Sequence, residues 1–290
     1  MAEAEGTLLK NVSEEEKAQL RPQVEPLVEK SKEIVRETFK KFKPEDVACT
    51  WTGGKDSTLT LWIVRQVCLE DNIKVPKVLT INEYDSFPEI HEFINKYTKE
   101  WGLDVEEWMN EDVVKAAGGK LGATVYVKDL NERNKAELKR IGFEGDSFPF
   151  EAESYVGNHL MKTVMFNMFI EKHNVKAIFQ GLRRDEQPAR QQDEYFEHRE
   201  AGHLIPEHTR VKPILHFTER QLWNTYKVYG IPYCVLYEKG YRSLGAMTTT
   251  ACAQPGTPAW EQDLEHTVER AGRRQDKEQM MSRLRQLGYM

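Results

Sequence analysis

The chain has 290 residues, enough for one large domain or two small ones with a full core, and its 39% hydrophobic and 30% charged residues are those of an ordinary globular protein. Its 41 Lys and Arg against 47 Asp and Glu leave a formal charge of -6. That balance argues against a surface given over to nucleic acid, though not against a local basic cleft, and with no apolar run near the ~20 residues that span a bilayer and no secretory signal in the polar stretch Met1 to Lys10, a cytoplasmic protein without a membrane partner is expected.

The first forty residues predict a charged helix, with capping-box spacing at Ser13 and Glu16 and an apolar stripe through Val24, Leu27, Val28, Ile34 and Val35. From Asp46 the pattern changes: Val47 to Trp51 predicts a strand, then come a glycine turn and a helix from Ser57 to about Leu69. Val78 to Ile81 predicts a second strand and Leu103 to Trp108 a third. Between them lies a helix with Ser86 as N-cap, Pro88 in its first turn and Glu89 closing the box. Gly118, Gly119 and Gly122 fall in a less regular stretch; Glu153 to His173 predicts a long helix and Val175 to Phe179 a buried strand leading into Gly181. Thr218 and Gln221 cap a further helix that stops near Gly230. After Pro255 and Pro258, a charged helix is expected from Trp260 to Leu287. Strands alternating with helices predict an α/β fold, an open, mostly parallel sheet with helices on both faces. The expected organisation is a helical N-terminal segment 1–45, a nucleotide-binding domain 46–245 and a C-terminal loop and helix tail 246–290.

Chemistry starts at the glycine turn, Thr52-Gly53-Gly54-Lys55-Asp56-Ser57. Two glycines let the backbone bring its N–H groups close to an anion. A helix that starts beside them adds unpaired N–H groups and a positive dipole end. Thr52, Ser57 and Thr58 add hydroxyls and Lys55 a charge, which together make a polyphosphate cradle at a strand's carboxyl end. A glycine turn used for shape alone is the plainer alternative, and the string is not a Walker A loop. The second cluster, Gly181-Leu182-Arg183-Arg184-Asp185-Glu186-Gln187-Pro188-Ala189-Arg190, again follows a strand. Three arginines in eight residues suit an oxyanion better than a core, because the guanidinium fork binds it bidentately. Asp185 and Glu186 would orient those arginines or help hold magnesium; a solvated charge run is the plainer alternative. Trp51, Trp62, Tyr155 and Phe166 read as core before base-stacking platforms, and His208 and His216 as structural before catalytic. No Ser-His-Asp ordering and no metal-ligand cluster stands out. Cys49, Cys68, Cys234 and Cys252 are far apart with no C-x-x-C pair, so reduced thiols are expected, without disulfides or an iron–sulfur cluster.

The T-G-G-K-D-S string resembles the S-G-G-x-D-S signature of the PP-loop ATP pyrophosphatases, with Thr52 keeping the hydroxyl. Gly181 to Arg190 is similar to the G-x-R-R-D-E-x-x-x-R motif of the branch containing phosphoadenosine phosphosulfate (PAPS) reductases and the nucleotidyl-transferring subunit of bacterial ATP sulfurylase. His159 to Thr163 resembles that branch's helix, whose lysine, here Lys162, faces the nucleotide. Phe87-Pro88-Glu89 matches its counterpart after the second strand, and Tyr237 to Gly245, with Arg242, resembles the segment near the phosphates. Glu269-Arg270-Ala271-Gly272-Arg273 is a further echo, which fits the sulfurylase subunit better than the reductases. Asn82 departs from the acid that the family often carries after the second strand.

The resemblance implies an adenine nucleotide α-hydrolase-like fold and cleavage of magnesium-bound ATP between its α and β phosphates. Its nucleotide-binding residues would be Thr52, Gly53, Gly54, Lys55, Asp56, Ser57, Lys162, Gly181 and Arg242; Lys55, Arg183, Arg184, Asp185 and Arg190 would be catalytic. Iron–sulfur reductases of the branch carry a Cys-Cys pair where this chain has Asn158-His159, and a C-x-x-C where it has Ala246 to Thr249. The E-C-G-type tail cysteine is missing, and the one tail thiol, Cys252, lies in Ala-Cys-Ala-Gln. Adenylyl transfer to an anionic acceptor, sulfate first, is therefore the expected activity. A thiol-dependent reductase, an FAD synthetase-like adenylyltransferase and a nucleotide sensor are the alternatives, with sulfur insertion into tRNA behind them. A GTPase-type partner subunit and a homo-oligomer both stay open.

Overall fold

A computed structural model describes residues 4–267 and 269. Its six-stranded sheet has the order β3-β2-β1-β6-β8-β7, with β1 Val47–Thr50, β2 Lys77–Ile81, β3 Val105–Trp108, β6 Ala177–Phe179, β7 Phe196–Arg199 and β8 His208–Val211. All neighbours are parallel except the edge pair β7 and β8. The remaining strands, β4 Thr124–Tyr126 and β5 Ser147–Pro149, form a separate antiparallel ribbon.

The central strands read as continuous apolar runs because both faces are covered. Val47 and Cys49 of β1, Val78 of β2, and Ala177 and Phe179 of β6 enter one cluster, with α1 Glu14–Lys41, α2 Lys55–Glu70, α3 Pro88–Glu100 and α8 Glu219–Tyr229. The residues between them, Ala48, Leu79 and Ile178, pack on the opposite face against Phe166, Phe169 and Ile170 of α7 Val164–His173. A two-residue period thus feeds two cores from one sheet. A third cluster, around Val113, Leu138, Phe148 and Leu160, ties the β4–β5 ribbon to α4 Glu111–Ala116, α5 Glu132–Arg140 and the start of the α7 helix.

The helix ends largely follow their capping residues. The Ser13 side chain accepts from Glu16 N at 3.1 Å, and α8 has the full Thr218–Gln221 capping box and a left-handed Gly230. α1 docks on the domain through the Ser31 hydroxyl, which donates to Pro213 O at 2.8 Å, and through His216 Nε2, 3.0 Å from Leu27 O.

Three expectations need correction. The N-cap of α3 is Phe87 rather than Ser86, with Pro88 as the first helical residue, and no N-cap side chain accepts from the first turn, because phenylalanine carries no acceptor. The helix expected over 153–173 starts at Tyr155, as the short α6 Tyr155–Asn158, and runs through a π-helical turn at His159–Thr163 before α7. The tail helix expected from Trp260 is, over its first residues, a short 3-10 turn at Ala259–Glu261 followed by turns to Thr267. The rest of that expectation lies outside the described residues.

Candidate functional site

Strand order reverses between β1 and β6: the chain moves outward from β1 to β2 and β3, then returns to lay β6 on the other side. In open α/β sheets the crevice at the carboxyl ends of such a pair is where ligands bind. Here the Thr50 hydroxyl donates to Phe179 O at 3.0 Å and fixes the two strand ends together. The loop after β1 then turns through Gly53, whose φ of +72° suits glycine and where an added Cβ would lie 2.9 Å from Ile90 Cγ2. Thr52 N donates to Ser57 Oγ at 3.1 Å, and the Thr52 and Ser57 hydroxyls are 3.0 Å apart. The helix α2 starts at Lys55, two residues earlier than expected, and Lys55 N donates to the buried Tyr237 hydroxyl at 2.8 Å.

The loop after β6 comes in against this corner at Gly181. A Cβ on Gly181 would lie 2.5 Å from Asp56 C and 2.6 Å from both Asp56 O and Ser57 N, all backbone atoms. The two sequence motifs therefore touch, main chain to main chain, and only a residue without a side chain permits it.

The charged groups converge accordingly. Arg183, fully buried, donates from Nε to Asp56 at 2.6 Å, from Nη1 to both oxygens of Asp185 at 2.8 and 2.9 Å, and from Nη2 to Glu269. Lys55 Nζ reaches the Arg242 carbonyl at 3.1 Å, Asp56 at 3.3 Å, Glu219 at 3.8 Å and, again, Glu269. Burial opposes the Lys55 charge, yet the carboxylates of Asp56, Glu269 and Glu219 more than offset it and hold its pKa above the ordinary value. Arg183 is raised in the same way, against burial, by Asp56, Glu269 and Asp185. Burial pushes Asp185 and Glu219 upward, against the pull of Arg183 and Lys55 respectively. Asp185 also accepts from Glu219 N at 2.7 Å, at the start of α8.

The other expected residues divide. Thr52, Gly54, Lys55, Asp56, Ser57, Lys162, Gly181 and Arg190 line one cavity of about 240 Å³ at the strand ends, with Glu269 at the same wall. Arg190 pairs with Glu186, so Glu186 orients an arginine, as Asp185 does for Arg183. Arg184 turns away: its guanidinium donates to Asp193 O at 2.9 and 3.2 Å and lies 5.3 Å from the Tyr195 ring centroid. Arg242 aims its side chain at Glu219, at 2.8 Å, and at the 263–267 segment, donating to Leu264 O at 3.2 Å and to the Thr267 hydroxyl. Gly53 shapes the turn without lining the cavity.

Several groups were not singled out from sequence. Glu83 rather than Asn82 is the acid that reaches the cavity after β2, and it pairs with Lys162 at 2.7 Å. Asn158 lines the cavity from the π-helical turn's N-terminal edge, buried, with its Oδ1 lacking a hydrogen-bond partner. Phe166, read as core, is buried and also lines the cavity. His208 and His216 do not; burial pushes both down to about 4. Cys49, Cys68 and Cys234 are buried thiols, and no described cysteine lines the cavity. Among the described residues no helix is long and apolar enough to cross a membrane.

Comparison with known proteins matches residues 46–252 to the family model described as phosphoadenosine phosphosulfate reductase domain. Sulfate adenylyltransferase subunit 2 of Pseudomonas fluorescens is 24% identical over 223 residues, covering 70% of this chain and 63% of the relative. The chain thus matches less than two thirds of that relative's length. Phosphoadenosine 5'-phosphosulfate reductase of Xanthomonas oryzae is 25% identical over 213 residues, covering 73% and 75%. Among solved structures, Candida glabrata FMN adenylyltransferase in complex with ATP superimposes with a TM-score of 0.62 at 18% identity, covering 88% of this chain and 89% of that one. The Candida auris PAPS reductase phosphate complex gives 0.52 at 16%, covering 85% and 100%. At these identities the structural likenesses speak for the fold alone.

Proposed function

Since the chain belongs to the phosphoadenosine phosphosulfate reductase domain family, within the PP-loop class, we propose that it is a nucleotidyltransferase that cleaves ATP between its α and β phosphates and adenylylates an anionic acceptor. The observation that carries this reading is the meeting of two buried cations, Lys55 from the first turn of α2 and Arg183 from the loop after β6, on a single carboxylate at the cavity wall. Cations brought in from a helix start and a facing loop to hold one anion suit a phosphate.

In this reading the β and γ phosphates lie along Thr52 to Ser57, against the first turn of α2. The nucleoside half lies toward Leu79, Ile81 and Phe166, which supply apolar wall to the same cavity. An acceptor oxygen attacks the α-phosphorus in line as the bond to the β-phosphate oxygen breaks, and pyrophosphate leaves with the bonding pair. Lys55 and Arg183 stabilise the charge that develops on it. No covalent enzyme intermediate is needed, so the contribution is positioning and electrostatics. Magnesium fits this site as a companion of the nucleotide: no group of three His, Cys, Asp or Glu among the described residues could cage an ion, and this ion commonly binds phosphates with one or two carboxylates. Asp56, which lines the cavity, would be such a carboxylate; the ion would offset charge on the leaving pyrophosphate.

Sulfate is the first acceptor to test, supported by the sulfate adenylyltransferase relatives and by the Arg190 guanidinium at the cavity wall. The thiol-dependent alternative needs a sulfur nucleophile in reach of the nucleotide, and no described cysteine lines the cavity. The test follows conversion of ATP to AMP and pyrophosphate with sulfate, with FMN and with no acceptor, each with magnesium. Sulfate-dependent pyrophosphate release is expected. Intact ATP in all three arms would sink the reading.

A further inference from the structure

The anion held by Lys55 and Arg183 is the protein's own. Glu269 belongs to the tail, 214 positions from Lys55, and it is brought to the cavity by a defined strap. Arg242, anchored on Glu219, holds the carbonyls of Asp263 and Leu264 and the Thr267 hydroxyl. Arg220 donates to Trp260 O at 2.7 Å and to Glu265 at 2.8 and 3.1 Å. α8 therefore carries one of the arginines that hold the tail, Arg220, and through Glu219 anchors the other, Arg242.

Two physical facts make this carboxylate incompatible with a bound polyphosphate. One is charge. Among the described residues, Lys55, Lys162, Arg183, Arg190 and Arg242 already face Asp56, Glu83, Asp185, Glu186, Glu219 and Glu269, five cations against six carboxylates. A triphosphate added to that balance would meet repulsion in a low-dielectric site, where unlike and like charges alike count for more than in water. The other is space. The cavity of about 240 Å³ falls below the ~300–1,000 Å³ usual for small-molecule sites, and Glu269 occupies its charged end.

Resting on the nucleotidyltransferase reading above, we propose that Glu269 is an internal competitor for the pyrophosphate end of the nucleotide. Its carboxylate leaves Lys55 and Arg183 when ATP enters, and its return displaces pyrophosphate once the α–β bond is cut. Weakened ATP binding in the resting protein is exchanged for faster release of the product.

Titration calorimetry on the full chain tests this, with wild type, Glu269→Gln and Glu269→Ala, each against magnesium pyrophosphate, the uncleavable magnesium complex of α,β-methylene-ATP, and AMP. Both variants should bind pyrophosphate and the analogue at least about tenfold more tightly than wild type, the equivalent of ~1.4 kcal/mol. AMP, which lacks the displaced group, should bind all three proteins alike. Pyrophosphate affinity that is unchanged or weaker in both variants overturns the competition and leaves nucleotide binding standing. Failure of all three proteins to bind the analogue overturns the nucleotidyltransferase reading and the competition together.

Discussion

Replacing Gly181 by alanine adds a single methyl group where the two halves of the cradle touch. The new Cβ would lie 2.5 Å from Asp56 C and 2.6 Å from Asp56 O and Ser57 N, against ordinary contact at 3.4 Å or more. Those atoms are main chain in the first turn of α2, so no side chain can swing aside, and either the helix start or the loop after β6 has to retreat by roughly 0.8 Å, in the range where overpacking costs about 1–3 kcal/mol. For a chain of this size that is a melting point lowered by roughly 2–12 °C. Retreat of the same size between Arg183 and the helix start should reduce pyrophosphate release by about 10²-fold, because a shift near 1 Å costs that much when catalysis rests on positioning. Thermal melting and acceptor-stimulated pyrophosphate release, measured on the same preparations, check both halves. Gly202→Ala is the control: its Cβ would meet only the Ile205 side chain, at 3.6 to 4.0 Å, and stability should stay within about 0.5 kcal/mol. A Gly181→Ala protein that melts with wild type and keeps its turnover within threefold would refute the close-approach account of the cradle.

Two adjacent arginines should behave differently. Arg183→Lys keeps the charge but loses the fork onto Asp56 and Asp185, and should cost turnover at least about tenfold. Arg184→Ala, which removes contacts to Asp193 O and Tyr195, should leave turnover within about twofold; the reverse order would mean the two are misassigned. Burial keeps His208 and His216 neutral, with pKa values pushed from 6.5 to about 4. The unfolded chain therefore binds more protons between those values. The stability involved, on the order of 3 kcal/mol for His208 and less for the partly exposed His216, is present above pH 6.5 and is lost as pH falls toward 4. Urea unfolding between pH 7.5 and 4.5 should show that loss, and a His208→Gln, His216→Gln protein should show a shallower one; equal slopes would count against buried neutral imidazoles. Cys252→Ser should leave AMP formation within about twofold of wild type, and loss of activity would bring back a thiol-dependent reaction.

What could be read from the chain was what is local. A glycine pair between a β-type run and a helix start marks a turn, and its hydroxyls and lysine come from six consecutive residues, so the corner was legible before its fold was known. The α/β architecture was legible for a similar reason, since the alternation of strands and helices is written along the chain. Direction was not. Arg183 and Arg184 look equivalent in the sequence because their partners come from elsewhere in the fold: Asp56 in the first turn of α2 draws Arg183 inward, and the Asp193 carbonyl draws Arg184 away. A one-residue ambiguity of the same kind separates Asn82 from Glu83, whose partner Lys162 comes from the π-helical turn. Glu269 was seen only as the first residue of a tail echo: its place at the cavity depends on a pairing with Lys55 that spans most of the chain. Arg242 was seen as part of a phosphate segment, but its role as a brace for that tail depends on Glu219, which nothing in its own neighbourhood announces.

The π-helical turn at His159–Thr163 has a geometric outcome of its own. Asn158 and Phe166 both face the cavity although they are eight positions apart, a spacing that in a regular helix overshoots two turns by nearly a full residue's rotation. A turn closed i to i+5 absorbs one residue, which brings that spacing back to about two turns and lines the pair up. His159 Nε2 lies 3.0 Å from the buried carboxylate of Glu137 and pins the swollen turn from behind. The alignment of polar and aromatic wall is thus encoded in a helix one residue longer than its own pitch requires, and shortening it by a single position would rotate one partner out of view of the other.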